Sequence, residues 1–196
     1  MPGGQENPTS MREKRLFLVD GNSLLYRSYY AIQRLSTSAG FPTNAVYGFV
    51  NTLRKIINEA RPSHIGIVFD TGRPTIRHQV FKEYKAHRKP MPEDLIPQVP
   101  VLKKVIRAMK IPLFEFENYE ADDVLGSLAK KAAENKIPTV IVTTDKDLLQ
   151  IVDRNTVIYN PAKEIYLDED KVKDFFGVPP AQVVDVLALW GDPTDN

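Results

Sequence analysis

Residues 119–123 read Tyr119-Glu120-Ala121-Asp122-Asp123, and Val124-Leu125 opens an apolar helical pattern directly after them. Three carboxylates within four residues repel one another and resist leaving water unless a cation sits among them. A divalent metal is the usual partner. The plain alternative is an acidic helix N-terminus, where Asp and Glu are favoured anyway. The other carboxylates decide between the two. Asp20 closes the apolar run from Leu16 to Val19, Asp70 closes the run from Ile65 to Phe69, and Asp145 and Asp147 follow the run from Thr139 to Thr143. Asp192 and Asp195 follow a stripe that ends at Trp190. One turn Asp means little, but repetition at the ends of separate elements needs another cause. A site rich in carboxylates and poor in His and Cys suits Mg²⁺ or Mn²⁺ held by oxygen. Two such ions can activate water and stabilise the leaving oxygen of a phosphodiester.

A second chemical signal lies between residues 73 and 92. Arg73, Arg77, Lys82, Lys85, Arg88 and Lys89 face a single acid, Glu83, and Phe81 and Tyr84 interleave with them before Pro90 and Pro92. Cations with interspersed rings suit phosphate contact and base stacking. Their like charges and few buriable residues predict a segment that is mobile when empty.

The elements that must position these groups are short buried strands and amphipathic helices. Leu16–Val19, Ile65–Phe69 and Thr139–Thr143 are too short and too uniformly apolar for half-exposed strands, so they predict strands buried on both faces. In a parallel sheet the residues after them share one edge, where open α/β folds bind ligands. Ser23 is the expected cap of a helix through Leu24, Leu25 and Tyr29. Ala45, Val46, Phe49, Val50, Leu53, Ile56 and Ile57 form a helical stripe after the break at Gly40–Thr43. A further helix through Leu102, Val105 and Ile106 is expected to begin at or after Pro100, and Ile111–Phe116 to form an edge strand. A helix starting near Tyr119 places Glu120 and Asp123 on one face and turns Asp122 away, so the cluster lines a cleft rather than closing on one point. Thr156–Tyr159 and Glu164–Leu167 read as short strands, and Asp168 as the cap of a helix that Gly177 stops. Pro179-Pro180 opens the last helix.

Composition excludes several classes. The chain has 196 residues, 42% of them hydrophobic, a net charge of +1 and no Cys. Disulfide scaffolds, thiolate zinc sites and cysteine nucleophiles are excluded, and His64, His78 and His87 lie too far apart to suggest catalytic zinc. There is no GxxxxGK[ST] or GxGxxG loop and no nucleophile elbow. A haloacid-dehalogenase pattern needs Asp two residues after Asp20, where Asn22 stands. No apolar run is long enough for a membrane span. Residues 1–11 lack the features of a signal peptide and read as a disordered leader, with Met11 an alternative start. A cytoplasmic protein with no membrane partner is the expectation. These residues alone lead to a metal-dependent nuclease or phosphotransferase.

In order along the chain come Leu18-Val19-Asp20-Gly21-Asn22, Phe69-Asp70, Tyr84-Lys85-Ala86-His87-Arg88 with Met91-Pro92, Tyr119–Asp123, Thr144-Asp145-Lys146-Asp147, and Ala188–Asp192 with Asp195-Asn196. Together they resemble the 5′-nuclease (flap endonuclease-like) family, most closely the amino-terminal 5′→3′ exonuclease domain of bacterial DNA polymerase I. The resemblance implies a PIN-like α/β domain over residues 12–196, with a mostly parallel central sheet flanked by helices and a basic arch at about 73–100. It implies that Asp20, Asp70, Glu120 and Asp122 serve a first Mg²⁺. Asp145, Asp147 and Asp195, with Asp122 shared, serve a second, Mn²⁺ substituting for either, while Asp123 and Asp192 lie nearby. It gives Lys85 and Arg88 catalytic roles at the scissile phosphate, and makes Arg73, Arg77, Lys82, Tyr84 and Lys89 DNA-binding. The implied substrates are DNA with 5′ ends or 5′ flaps and the RNA primer of an RNA–DNA hybrid, in replication and repair. The implied setting is a monomeric, nucleoid-associated bacterial protein, with a polymerase domain in the full-length chain. The family pattern continues beyond Asn196 into a glycine-rich helix-hairpin-helix that grips duplex DNA. Two other readings stand beside this one: a nucleic-acid-binding fragment with little activity because that grip is missing, and a PIN-type ribonuclease.

Overall fold

The central strand, β1 (Leu16–Asp20), has apolar side chains on both faces, so it can only lie inside a sheet covered on both sides. The computed structural model describes residues 14–191; the leader, Asp192 and Asp195 lie outside the described residues. From β1 the chain passes straight into α1 (Gly21–Ala31) and, after the break at residues 37–43, into α2 (Asn44–Ala60). It then forms β2 (His64–Val68), the short helix α3 (Ile76–Val80), a run of turns, α4 (Gln98–Ala108) and the two-residue strand β3 (Leu113–Phe114). The second half runs α5 (Ala121–Glu134), β4 (Thr139–Val142), a 3₁₀ helix at Asp147–Ile151, β5 (Thr156–Asn160), β6 (Ile165–Leu167), α6 (Glu169–Phe176), a 3₁₀ turn at Pro180–Gln182 and α7 (Val183–Trp190).

The six strands lie in the order β3-β2-β1-β4-β5-β6, and every pair is parallel except β5–β6. The chain fills one side of β1 first and then returns to fill the other. The topological switch therefore falls between β1 and β4, and open α/β sheets bind ligands outside the carboxyl ends of the strands at such a point. The expected strands, their parallel arrangement and the edge position of β3 are all present.

Alternation along β1 divides the core. Phe17 and Val19 join Leu24, Phe49, Leu53, Leu102 and Ile106 on the α1/α2/α4 side. Leu18 joins Leu125, Ala129, Leu148, Val172 and Phe176 on the other. Each fully buried Leu or Phe contributes about 1.5–3 kcal/mol, and these two layers fix the strand ends relative to one another. Gly21 is required where β1 meets α1: a Cβ there would stand 2.7 Å from three atoms of the Phe69 ring.

Three local expectations shift. Ser23 does not cap α1. Asp20 does, its Oδ1 accepting the Ser23 N–H at 3.0 Å, because the helix begins with no loop after the strand. α4 begins at Gln98, two residues before Pro100, which is tolerated because amides in a first helical turn have no intrahelical acceptor. The helix expected near Tyr119 begins at Ala121 with Glu120 as N-cap. Beyond α3 the arch segment advances by turns at residues 82–87 and 93–97 before α4.

Candidate active site

The carboxyl edge of the sheet opens into a cleft of about 990 Å³ lined by Asp20, Asp70, Glu120, Asp122, Asp123, Asp145 and Asp147. Each carboxylate is aimed by a different local device. Asp20 is 4% exposed. Besides capping α1, it accepts a hydrogen bond on Oδ2 from the Thr143 hydroxyl at 2.8 Å. The same Thr143 oxygen accepts the Asp145 N–H at 3.0 Å, and Asp145 Oδ1 accepts the Asp147 N–H at 2.9 Å. One relay thus ties the end of β1 to the loop after β4. Asp70 is fixed from two sides: Ala121 N–H donates to its Oδ1 at 2.6 Å and Asn22 Nδ2 to its Oδ2 at 3.0 Å. Asn22 Oδ1 in turn accepts the Asp70 N–H at 3.2 Å. Asp70 therefore satisfies a free amide at the start of α5, one of the donors that every helix N-terminus leaves open.

This set offers a cation only oxygen donors. Burial, and then the carboxylates of Asp20, Asp145 and Asp70, push Asp122 up to about 8, with Lys85 only partly opposing them. Burial raises Asp20 to about 6, against the hydrogen bonds from Ser23 and Thr143 and with the charges of Asp145 and Asp70. Such shifts mark charge held together against repulsion. The side chains suit hard divalent cations. Among the described residues no three carboxylates stand close enough together, as they are, to hold a metal ion.

The arch supplies the counter-charge. Lys85 Nζ donates to Glu120 Oε2 at 3.0 Å, and the Tyr84 hydroxyl donates to the same oxygen at 3.1 Å. Burial disfavours the Lys85 ammonium, but its hydrogen bond to Glu120 and the Glu120 charge prevail and hold it above the ordinary lysine range. Lys85 has φ +57°, the left-handed region that non-glycine residues seldom occupy. The backbone is held in a costly conformation where the side chain turns into the cleft. Arg77 makes a two-pronged pair with Asp123, at 2.6 and 2.7 Å. That pairing holds the Asp123 carboxyl below its usual range, and Asp123 Oδ2 also accepts the Glu120 N–H at 3.1 Å.

Of the sequence-predicted cations, Arg77, Lys85, Arg88 and Lys89 line the cleft together with Tyr84. Arg73 and Lys82 do not; Arg73 pairs with Glu117 on the exposed side of the segment. Asp123, expected near the metals, is committed to Arg77 and to its own helix start. Sequence reasoning passed over Asn22, Ser23, Thr143 and Thr144 as functional residues. Their only sequence signal was a hydroxyl or amide beside a strand-ending Asp.

An α/β domain with a carboxylate cleft at the topological switch of its sheet, roofed by a cationic segment, belongs to the 5′-nuclease class. The family described as "5'-3' exonuclease, N-terminal resolvase-like domain" matches residues 15–177, and the chain belongs to it. It is 42% identical over 183 residues to the 5'-3' exonuclease of Aquifex aeolicus (strain VF5), covering 93% of this chain and 63% of that protein. It is 45% identical over 186 residues to DNA polymerase I of Pseudomonas aeruginosa, covering 95% of this chain and 20% of the polymerase. The chain thus spans under two thirds of that exonuclease and about a fifth of the polymerase. The fold resembles T5 D15 protein co-crystallised with metal ions (TM-score 0.73, 19% identity, covering 93% of this chain and 68% of that one). It also resembles the catalytic core of Rad2 in complex with DNA substrate (TM-score 0.56, 20% identity, 95% and 57%). None of the helices among the described residues is long and apolar enough to cross a membrane.

Proposed function

We propose that this chain is the catalytic domain of a divalent-metal-dependent 5′→3′ exonuclease and 5′-flap endonuclease. It hydrolyses phosphodiesters of DNA, and of RNA primers paired to DNA, by a two-metal mechanism. The observation that carries this reading is the meeting of seven carboxylates with Lys85 in one cleft. Asp20, Asp70, Glu120 and Asp122 would hold one Mg²⁺. Asp145, Asp147 and Asp195, sharing Asp122, would hold the other, with Asp123 and Asp192 close by. When bound, the ions supply an activated water and charge neutralisation on the phosphodiester. The protein's own residues do the rest. Thr143 and Asn22 hold Asp20, Asp145 and Asp70 in place, so little reorganisation is needed during reaction. Lys85 presents an ammonium at the rim of the cleft, where it can pass from Glu120 to a phosphate oxygen, with Arg88 beside it. Arg77, bound to Asp123, holds α3 against the start of α5, and Tyr84 offers a ring next to Lys85.

In this reading the whole protein acts on DNA with 5′ ends or flaps, as an intracellular bacterial monomer. Cleavage of a labelled 5′-flap duplex tests the reading. With Mg²⁺ the protein should release products that carry a 5′-phosphate. EDTA should stop the reaction, and Asp122→Ala should lower the rate on the order of a hundredfold or more. Metal-independent cleavage, or none from a folded full-length protein, overturns the proposal. Single-stranded RNA cut faster than flap DNA would favour a PIN-type ribonuclease instead.

A further inference from the structure

The start of α2 has no cap of its own. Thr43, its N-cap residue, makes no side-chain bond to the first turn, although a helix start leaves its first amides without intrahelical acceptors. Two of those amides are satisfied from far along the chain. Gln98 Oε1 accepts the Ala45 N–H at 2.9 Å and the Val46 N–H at 3.3 Å, across 53 and 52 residues. Gln98 is the first residue of α4 and is 0% exposed. Its Nε2 donates to Asn44 Oδ1 at 2.9 Å and to the Asp94 carbonyl at 3.0 Å, so both its lone pairs and both its protons are used. Asn44 Nδ2 donates in turn to the Tyr29 and Ile32 carbonyls at the end of α1, at 3.0 and 3.4 Å. The Tyr29 hydroxyl closes the circuit by donating to Asp94 Oδ1 at 2.6 Å.

These bonds join the end of α1, the start of α2 and the foot by which the arch enters α4. Buried amides are costly if any partner is missing and specify one geometry when every partner is present. Leu95, buried in the core, also holds this foot. Apolar burial is non-directional, so Leu95 sets the depth of the foot and the hydrogen bonds set its direction. Arg88 and Lys89 line the cleft, whereas Met91 already packs on the core. Only a short stretch of chain therefore separates the fixed foot from the cations that it must aim.

We propose that Tyr29, Asn44, Asp94 and Gln98 form a positioning latch, which sets the angle at which the arch leaves the α1–α2 corner and so the reach of Lys85 into the cleft. None of the four lines the cleft, and the latch needs no contact with substrate. The proposal rests on the nuclease reading above.

The test opens the latch at its half-buried end and leaves the two buried amides in place. Tyr29→Phe and Asp94→Ala each remove the hydroxyl–carboxylate bond, while Asp94→Asn keeps an acceptor for it. Each is made alone and together with Lys85→Ala, and thermal melting checks folding. The readouts are single-turnover cleavage of a labelled 5′-flap duplex with Mg²⁺ and anisotropy of the same DNA in EDTA. Tyr29→Phe and Asp94→Ala should lower the cleavage rate about tenfold, because a small displacement of a reacting group is costly in rate. DNA affinity should hardly change, and Asp94→Asn should recover most of the rate. In the Lys85→Ala background the same substitutions should cost no more than about twofold, since a latch acting through Lys85 has nothing left to aim. Rates like wild type in the single variants, or losses that multiply in full in the double ones, overturn the latch, whatever happens to Tm. Should Asp94→Ala not fold, Tyr29→Phe, which keeps the ring, decides the outcome by the same comparison. Wild type that cleaves while the losses multiply leaves the nuclease reading standing without the latch; folded wild type that does not cleave removes both.

Discussion

The two halves of the active cleft are built by opposite means. On the sheet edge, Asp20 and Asp70 sit at or just past strand ends, each gripped by two or more donors, with the core packed beneath them. On the arch, between β2 and α4, no residue of α3 is buried and the chain advances by turns. Its hold on the cleft comes from ion pairs, Arg77 to Asp123 and Lys85 to Glu120. A carboxylate displaced by an ångström loses a metal ligand, whereas a lysine must follow a substrate that arrives from outside. Rigid placement suits the anionic wall, and exchangeable partners suit the cationic one.

Substitutions can break this contrast, and the largest effect is expected at Asp122. Asp122→Asn should abolish metal-dependent cleavage and yet stabilise the metal-free protein above pH 8, by roughly 2–4 °C in Tm for each 1 kcal/mol gained. Calorimetry in EDTA checks the sign; a lower Tm would mean that the carboxylate cluster is not under strain. On the arch, Lys85→Ala should lower kcat on the order of a hundredfold while changing DNA affinity only a few-fold, if its charge acts on the transition state. Single-turnover kinetics beside equilibrium binding separate the two, and equal losses would make Lys85 a simple phosphate anchor.

A pH titration in EDTA sharpens the contrast without mutation. Asp20 and Asp122 are raised above the unfolded Asp value, to about 6 and about 8. The native protein therefore binds more protons than the unfolded chain between pH 4 and 8. Their contribution to stability is fully present below the unfolded pKa and is lost as pH rises through 6 and then 8. Asp123 is shifted the other way, so its contribution is complete throughout the window and falls away only in acid. Tm should decline from pH 5 to pH 9 in EDTA and flatten with saturating Mg²⁺; a flat profile without metal would refute the strain. The smallest effect is expected at the half-exposed Arg77–Asp123 pair. Arg77→Gln should cost about 0.2–1 kcal/mol of stability but make residues 81–89 measurably more open to limited proteolysis. Unchanged proteolysis would show that this pair does not hold the arch.

Much of this arrangement was legible in the residues. Uniform apolar runs cannot sit anywhere but inside a covered sheet, so β1, β2 and β4 and the Asp residues that end them followed directly. The arch stood out because its cations lack local acids. What escaped was set by contacts between distant segments. Nothing near Asn22 announces that its amide holds Asp70, 48 residues away, and Thr143 reaches Asp20 across 123 residues. Pro100 misled because a rule about helix interiors was applied to a first turn. Asp123 resembled Asp122 in sequence, yet one step around the helix turns it to Arg77.

The cluster at residues 119–123 shows where the line falls. Sequence by itself determined that Glu120, Asp122 and Asp123 crowd a helix start and that similar carboxylates end the strands, because residue type and period are local properties. Only the tertiary structure decided that Glu120 would meet Lys85, Asp123 would meet Arg77, and Asp122 would be left among Asp20, Asp70 and Asp145. Which charge faces which depends on how the sheet orders its strands and where the arch crosses them, and no local pattern carries that information.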